Sequence, residues 1–365
     1  MSLFHAFTQR TVLPAPRPAH NTPARILSGL GALALACITV SGMTAEVHAR
    51  TYRHIRHSPA SPTLKVLTFG GAIADVQQKV LFTPYSQTEK RTVAMTFWNG
   101  EIESLRKQEN TAPTRWAAVM MENSALQVSC SLGLLVRDPM DSSSSSCGQP
   151  SASIDFAMVW DRAVLDSPPN WSDFWDVARH PGRRSLRRDP RTTLEVALLA
   201  DGVPPDALYR VLDSREGLDR AFRKLDQLRP YIVWWSTPQE AARILKSGGA
   251  LMGCAPTGEI LNLPATERSR FGVFWGQRLA INYAWGVPKT VGQDNTALAL
   301  VAWLEHPTQK QAFANAWPSL PSLTEITSGT ADLQHLPPAI AVSDTFWSTH
   351  LADISARFER WAEEP

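Results

Sequence analysis

Leu64-Lys65-Val66-Leu67-Thr68-Phe69-Gly70-Gly71 is the stretch on which the fold turns. Six residues of strand composition run into a glycine pair, and Ile73, Val76, Val80 and Leu81 then recur at helical spacing up to Pro84. A strand, a glycine turn and a helix open an α/β unit. The alternation continues outward from it: a strand at 92–97, a helix through Ile102 and Leu105, and an apolar strand at 116–121. Further on, Asn170 or Ser172 caps a helix carrying Phe174, Trp175 and Val177, and Asp213 with Glu216 forms a capping box for the stripe Leu218, Ala221, Phe222, Leu225 and Leu228. A strand at 231–235, a helix at 239–245 and a strand at 251–255 follow. Asp294 or Asn295 opens a helix that His306-Pro307 stops. Strands alternating with helices along the chain predict mostly parallel sheets covered by helices. No internal repeat is visible.

The chain has 365 residues, too many for one ordinary core and suited to two lobes, and it is 44% apolar and 19% charged. The apolar run 26–40 follows Arg10, Arg17 and Arg25 and precedes Val47-His48-Ala49. That order predicts a Sec-type signal peptide over 1–49, hence export to the periplasm, with Cys37 inside its apolar core. Residues 50–62, rich in His, Arg, Ser and Pro, read as a linker. Without 1–49 the charge balances, since three of 36 basic and one of 34 acidic residues leave with it. A neutral chain carries no electrostatic footprint for nucleic acid or for an anionic membrane. In an oxidising compartment Cys130 and Cys147, which bracket the serine-rich turn 141–146, are the natural disulfide pair, and Cys254 reads as an inert core cysteine.

Ligands of open α/β sheets sit beyond the carboxyl ends of the strands. Reading those ends gives Phe69-Gly70, Trp98-Asn99, Glu122, Trp160, Asp189, Trp235, Glu259 and Trp275, with Tyr283 further along. Four tryptophans with a few carboxylates suit an organic cation, and the competing reading makes each indole core packing. The sequence holds no Gly-x-Ser-x-Gly, His-Glu-x-x-His, Cys-x-x-Cys or phosphate-binding Gly-x-x-x-x-Gly-Lys, and its histidines show no ligand spacing. No catalytic residue, metal or cofactor is expected. Arg183-Arg184 and Arg187-Arg188 form a basic cluster that reads first as a solvated face, with Arg187 or Arg191 able to meet an anionic ligand.

Several stretches in sequence order resemble the polyamine-type (spermidine/putrescine) periplasmic solute-binding proteins of ABC importers. They are Leu67 to Gly71 with Phe82-Thr83-Pro84-Tyr85, Trp98-Asn99-Gly100, Asn170 to Asp176, Pro181-Gly182-Arg183-Arg184, Leu194 to Gly202, Asp219-Arg220-Ala221-Phe222, Trp234-Trp235 and Trp285-Gly286-Val287-Pro288-Lys289. The cysteine pair also sits where many members carry one. The resemblance implies a type II periplasmic binding protein fold: two α/β lobes, 63–156 with 286–320 and 157–285 with 321–365, joined by hinge strands around an interlobe cleft. It implies a monomer that captures a small nitrogenous solute, putrescine, spermidine or a related amine, and delivers it to an inner-membrane ABC permease. Two carboxylates of the polyamine pattern are replaced, by Thr192 and by Tyr283 with Asn282 beside it, so Glu122 or Glu259 substitutes for them or the ligand is amino-acid-like or opine-like. A sensor that keeps the fold without transport, and an exported α/β enzyme, are the readings from other classes.

Overall fold

The structure is a computed structural model that describes residues 63–111, 116–137, 146–291, 294–317 and 336–363. The expected signal peptide 1–49, the linker 50–62 and most of the serine-rich turn lie outside them. The opening strand β1 (Leu64–Thr68) pairs in parallel with β2 (Val93–Phe97) on one side and β3 (Ala118–Glu122) on the other. Between β1 and β2 the helical run does not stop at Pro84. From α1 (Ala72–Gln77) it passes through a π-helical turn, Gln78–Phe82, into α2 (Thr83–Glu89). Pro84 lies directly after that π-helical turn, in the first turn of α2. Helices α3 (Ile102–Thr111) and α4 (Asn123–Ser131) complete this first half.

The second half is built on β5 (Arg184–Arg187), paired in parallel with β6 (Ile232–Trp235) and β7 (Met252–Pro256). Its helices are α5 (Trp171–Trp175), α6 (Pro190–Ala200), α7 (Leu208–Leu212), α8 (Arg215–Asp226), α9 (Pro238–Lys246), α10 (Thr257–Leu261) and α11 (Ala265–Arg268). Asn170 caps α5 with a full capping box through Asp173. On α8 the cap is Ser214, whose hydroxyl accepts from the Gly217 amide at 3.0 Å. Asp213, expected in that role, instead closes α7.

Two long strands join the halves. β4 (Pro150–Asp161) and β8 (Phe271–Gly286) run antiparallel to each other, β8 against β3 at one end and β4 against β7 at the other. One nine-stranded mixed sheet results, parallel at its flanks, as the mostly parallel expectation has it, and antiparallel at its centre. The register of β4 on β8 slips between Phe156 and Met158, opposite Leu279 and Phe274, so β8 carries an excursion at 275–278. Arg278 fastens that excursion, donating from Nε to Asp155 at 2.9 Å and from Nη1 to the Pro337 carbonyl at 2.8 Å. Helices α12 (Asn295–Glu305) and α13 (Pro307–Ala316) follow, with Asp294 as the cap of the first, and the short β9 (Ile340–Ala341) adds to β8. The last helix, α14 (Asp344–Glu363), packs on both α4 and α6. Asp344 at its start accepts from Asn123 (2.9 Å) and Asn282 (3.1 Å), so the helix spans both halves rather than serving the second alone.

Cys130 and Cys147 form a disulfide. Cys254 is buried, and burial pushes its thiol up to about 12, as suits an inert core residue.

Candidate functional site

Strand direction decides which of the expected residues meet. β1, β3 and β5 all end at the boundary between the halves, which places Phe69, Glu122 and Arg187 there. Glu122 stands opposite Tyr283 in the β3–β8 register, and the Tyr283 hydroxyl donates to its Oε1 at 3.3 Å. The Phe69 ring meets Tyr283 edge-on at 5.5 Å and lies 6.3 Å from Trp98. Gly70 faces Phe97 and the Gln239 amide of α9, and Asn99 spends its side-chain oxygen on the Glu101 amide.

The charged centre is a pair of arginines. After β5 the chain turns at Asp189, whose Oδ1 caps the next segment by accepting from the Arg191 amide at 2.8 Å. Arg191 then takes extended dihedrals and Thr192 a positive φ of 69°, so the regular part of α6 starts only beyond them. This kink folds the Arg191 side chain back over Asp189 in a two-point grip, Nε to Oδ1 at 2.8 Å and Nη2 to Oδ2 at 2.6 Å. The Thr193 hydroxyl donates to the Arg187 carbonyl at 2.8 Å and closes the turn. Glu122 reaches across from the first half to both guanidinium groups, Arg187 Nη1 at 2.5 Å and Arg191 Nη1 at 2.9 Å. These two approaches are close ion pairs without hydrogen-bond alignment, so the Nη1 donors of both arginines have no acceptor along their N–H directions.

Electrostatics holds Asp189 and the two arginines ionised. Burial works against these three charges, but their neighbours outweigh it. Asp189 is held at about 2 by Arg187 and Arg191, and both arginines are pushed above their ordinary range by Asp189 and Glu122. Burial, with the Glu122 charge beside it, raises the Tyr283 phenol, which stays protonated as a donor. Two buried cations and two carboxylates therefore balance.

Beside this cluster lies a cavity of about 10 Å³, room for about one water, lined by Phe69, Ile73, Phe156, Glu259, Tyr283 and Trp317. The cavity as it stands has no room for a solute larger than water. Glu259 sits in α10 just after β7 and accepts from the Ala72 and Ile73 amides at the start of α1, at 3.1 and 3.3 Å.

The remaining tryptophans lie elsewhere. Because β4 runs opposite to β7, its carboxyl end points away from the boundary; Trp160 packs there against Gly272 and donates to the Leu165 carbonyl at 3.2 Å. Trp235 stacks behind Phe156 at 6.3 Å and donates to the Cys254 carbonyl at 3.0 Å, deep in the second half. Trp275 lies on the β8 excursion. Conversely Ile73, Phe156 and Trp317 line the cavity without having been expected. Arg187, read first with Arg183, Arg184 and Arg188 as a solvated face, and Arg191, read as able to meet an anionic ligand, form the buried charged cluster beside the cavity; the sequence signal was Asp189-Pro190-Arg191 directly after a strand end. Among the described residues no group of His, Cys, Asp or Glu is arranged to hold a metal.

Residues 83–338 match the family described as bacterial extracellular solute-binding protein. This chain belongs to that family. A curated relative, the gamma-aminobutyric acid-binding protein of Pseudomonas aeruginosa, is 33% identical over 83% of this chain and 91% of its own length. Among solved structures, the periplasmic binding protein MotA of A. tumefaciens B6, in complex with glucopine, superposes with a TM-score of 0.71 at 18% identity, covering 82% of this chain and all of that one. The Atu4243 GABA receptor superposes at 0.66 with 22% identity, covering 83% and 98%. Both share the periplasmic binding protein fold expected from the sequence. The chain is thus a bacterial extracellular solute-binding protein by family, and its curated relative is a binding protein too.

Proposed function

We propose that the protein captures a small zwitterion, an ω-amino acid such as gamma-aminobutyrate or a related amino-acid conjugate of the opine kind, in the periplasm and delivers it to an ABC permease. The observation that carries this is the charge balance at the boundary: Arg187 and Arg191 against Glu122 and Asp189, all four in one cluster. A zwitterion adds no net charge to it. Its carboxylate meets the unaligned Nη1 donors, its ammonium the carboxylates, and Phe69, Phe156 and Tyr283 cover its methylene chain. A polyamine brings two or more positive charges to a cluster whose two carboxylates, Glu122 and Asp189, are already paired with Arg187 and Arg191, so its charges are left without a counter-charge of their own. Asp189, the one polyamine-type carboxylate the sequence retains, is held by Arg187 and Arg191. The 33% identical relative, a gamma-aminobutyric acid-binding protein, supports the same reading over the polyamine one.

Titration calorimetry of the protein with gamma-aminobutyrate, putrescine and an opine tests this. Binding of a zwitterion is expected, lost at least a hundredfold in Arg187→Ala and in Arg191→Ala, because each removes a fixed cation from a carboxylate contact worth about 2–3 kcal/mol or more. Tighter binding of putrescine than of any zwitterion would overturn the proposal.

A further inference from the structure

We propose that Glu259 is a proton-linked clasp between the halves: its carboxyl group fastens to the first amides of α1 on closure, and taking up a proton favours the closed form. The inference rests on the solute-capture reading only for its effect on affinity; the clasp itself stands on geometry. Glu259 belongs to the second half, following β7, whereas Ala72 and Ile73 belong to the first. The two hydrogen bonds between them, 3.1 and 3.3 Å, therefore exist only while the halves are together. The sequence is cut for this approach. Gly71, with φ of +96°, precedes the two amides, and a Cβ there would stand 2.7 Å from Glu259 Oε2. When the halves separate, Glu259 loses both amides and gains water.

Closing buries the carboxyl group, and burial outweighs the two amide bonds, raising it to about 7. Asp75 on α1 adds to the rise. Tyr283 on β8 is the other titratable group on the shared cavity, to which the remaining elements present Phe69, Ile154, Phe156, Pro238, Pro256 and Trp317. Asp155 on β4 is turned to Arg278, and Glu240 on α9 is spent on the Ser236 and Thr237 amides. No cation among the described residues is paired with Glu259. In the open form the group returns to about 4.3, so closing takes up a proton between those values. Closure strengthens as pH falls through 7, and between pH 8 and pH 6 the closing constant rises about tenfold.

Small-angle scattering of the ligand-free protein at pH 8 and pH 6, alongside gamma-aminobutyrate titrations, reads this directly. The wild type is expected to contract at pH 6 and to gain about tenfold in affinity. Glu259→Gln, which keeps an acceptor but cannot ionise, is expected to be equally compact at both values with a flat affinity. Gly71→Ala, which pushes the clasp apart while leaving Glu259 in place, is expected to stay expanded at both. A wild type whose scattering ignores pH, or a Glu259→Gln protein that follows pH as the wild type does, overturns the clasp. If scattering responds as expected while no zwitterion binds, the clasp stands and the proposed ligand falls.

Discussion

At position 192 glycine should be more stabilising than alanine, the reverse of the order in an ordinary helix. Thr192 is fully buried inside the segment Pro190–Ala200, yet its dihedrals are φ 69° and ψ −40°. That is the tight, rarely populated turn region that L-residues avoid and β-branched ones avoid most. Holding a side chain there costs about 1–3 kcal/mol. Thr192→Ala keeps Cβ and so keeps the strain, whereas Thr192→Gly removes it at a cost of about 0.5–1 kcal/mol in unfolded-state freedom. Both changes delete the same buried hydroxyl, which has no hydrogen-bond partner, and the same methyl group, so these effects cancel between the two variants. The difference left is about 0.5–2 kcal/mol in favour of glycine, against about 1 kcal/mol in favour of alanine within a regular helix. Urea midpoints at equal slope measure it. The glycine variant should also bind its zwitterion several-fold more weakly, because the turn that presents Arg191 is no longer fixed. An alanine variant as stable as the glycine variant, or more so, would refute the strained turn.

Two other perturbations read parts of the fold outside the site. Replacing Cys130 and Cys147 together by serine opens a loop with a sequence separation of 17 and should cost about 3 kcal/mol, visible as a lower denaturation midpoint that reductant no longer shifts. Glu195, in the buried α6, accepts from Trp347 at 2.7 Å and Tyr209 at 2.9 Å, and burial raises its carboxyl to about 7 despite those bonds. Its folded value lies above the unfolded one, so its stabilisation is complete at acid pH and is lost as pH rises through 7. Between pH 5 and 8 the wild type should lose about 2–3 kcal/mol that Glu195→Gln retains, and equal slopes for the two proteins would contradict this.

The alternation of strands and helices was legible because each element carries its own local signal, from the β1 strand and its glycine pair to the helix cap at Asn170. Two kinds of feature were not. Strand direction depends on pairing partners far away in sequence; that β4 and β8 run antiparallel through the middle of the sheet is what sends Trp160 away from the boundary, and nothing in its neighbours shows it. The second kind is burial of charge. Arg187 stands in a basic stretch that, read alone, is a solvated face, and the carboxylates that make the burial of Arg187 and Arg191 tolerable are Asp189 and Glu122, the second brought in from the other half. The kink at Thr192 was hidden for a similar reason, since threonine gives no signal for a positive φ. Phe69 and Trp98 stand next to each other because β1 and β2 are parallel strands whose carboxyl ends lie side by side.

The ties across the boundary run in opposite directions. Glu122 reaches from the first half to the arginines of the second, and Glu259 reaches from the second half to the amides of the first. They differ in what a solute can do to them. Glu122 sits off the N–H directions of both Nη1 groups, so a carboxylate approaching along those directions gains aligned hydrogen bonds that Glu122 does not already hold. Glu259 is bonded to two first-turn amides of α1, donors that have no partner within the helix, and its own charge state changes when it closes on them. Ligand chemistry therefore acts on the first tie, and proton concentration acts on the second. Closure then depends on solute and pH through separate residues, and a variant in one should leave the response to the other intact: Glu259→Gln would still discriminate zwitterions from polyamines, and Glu122→Gln would still contract as pH falls.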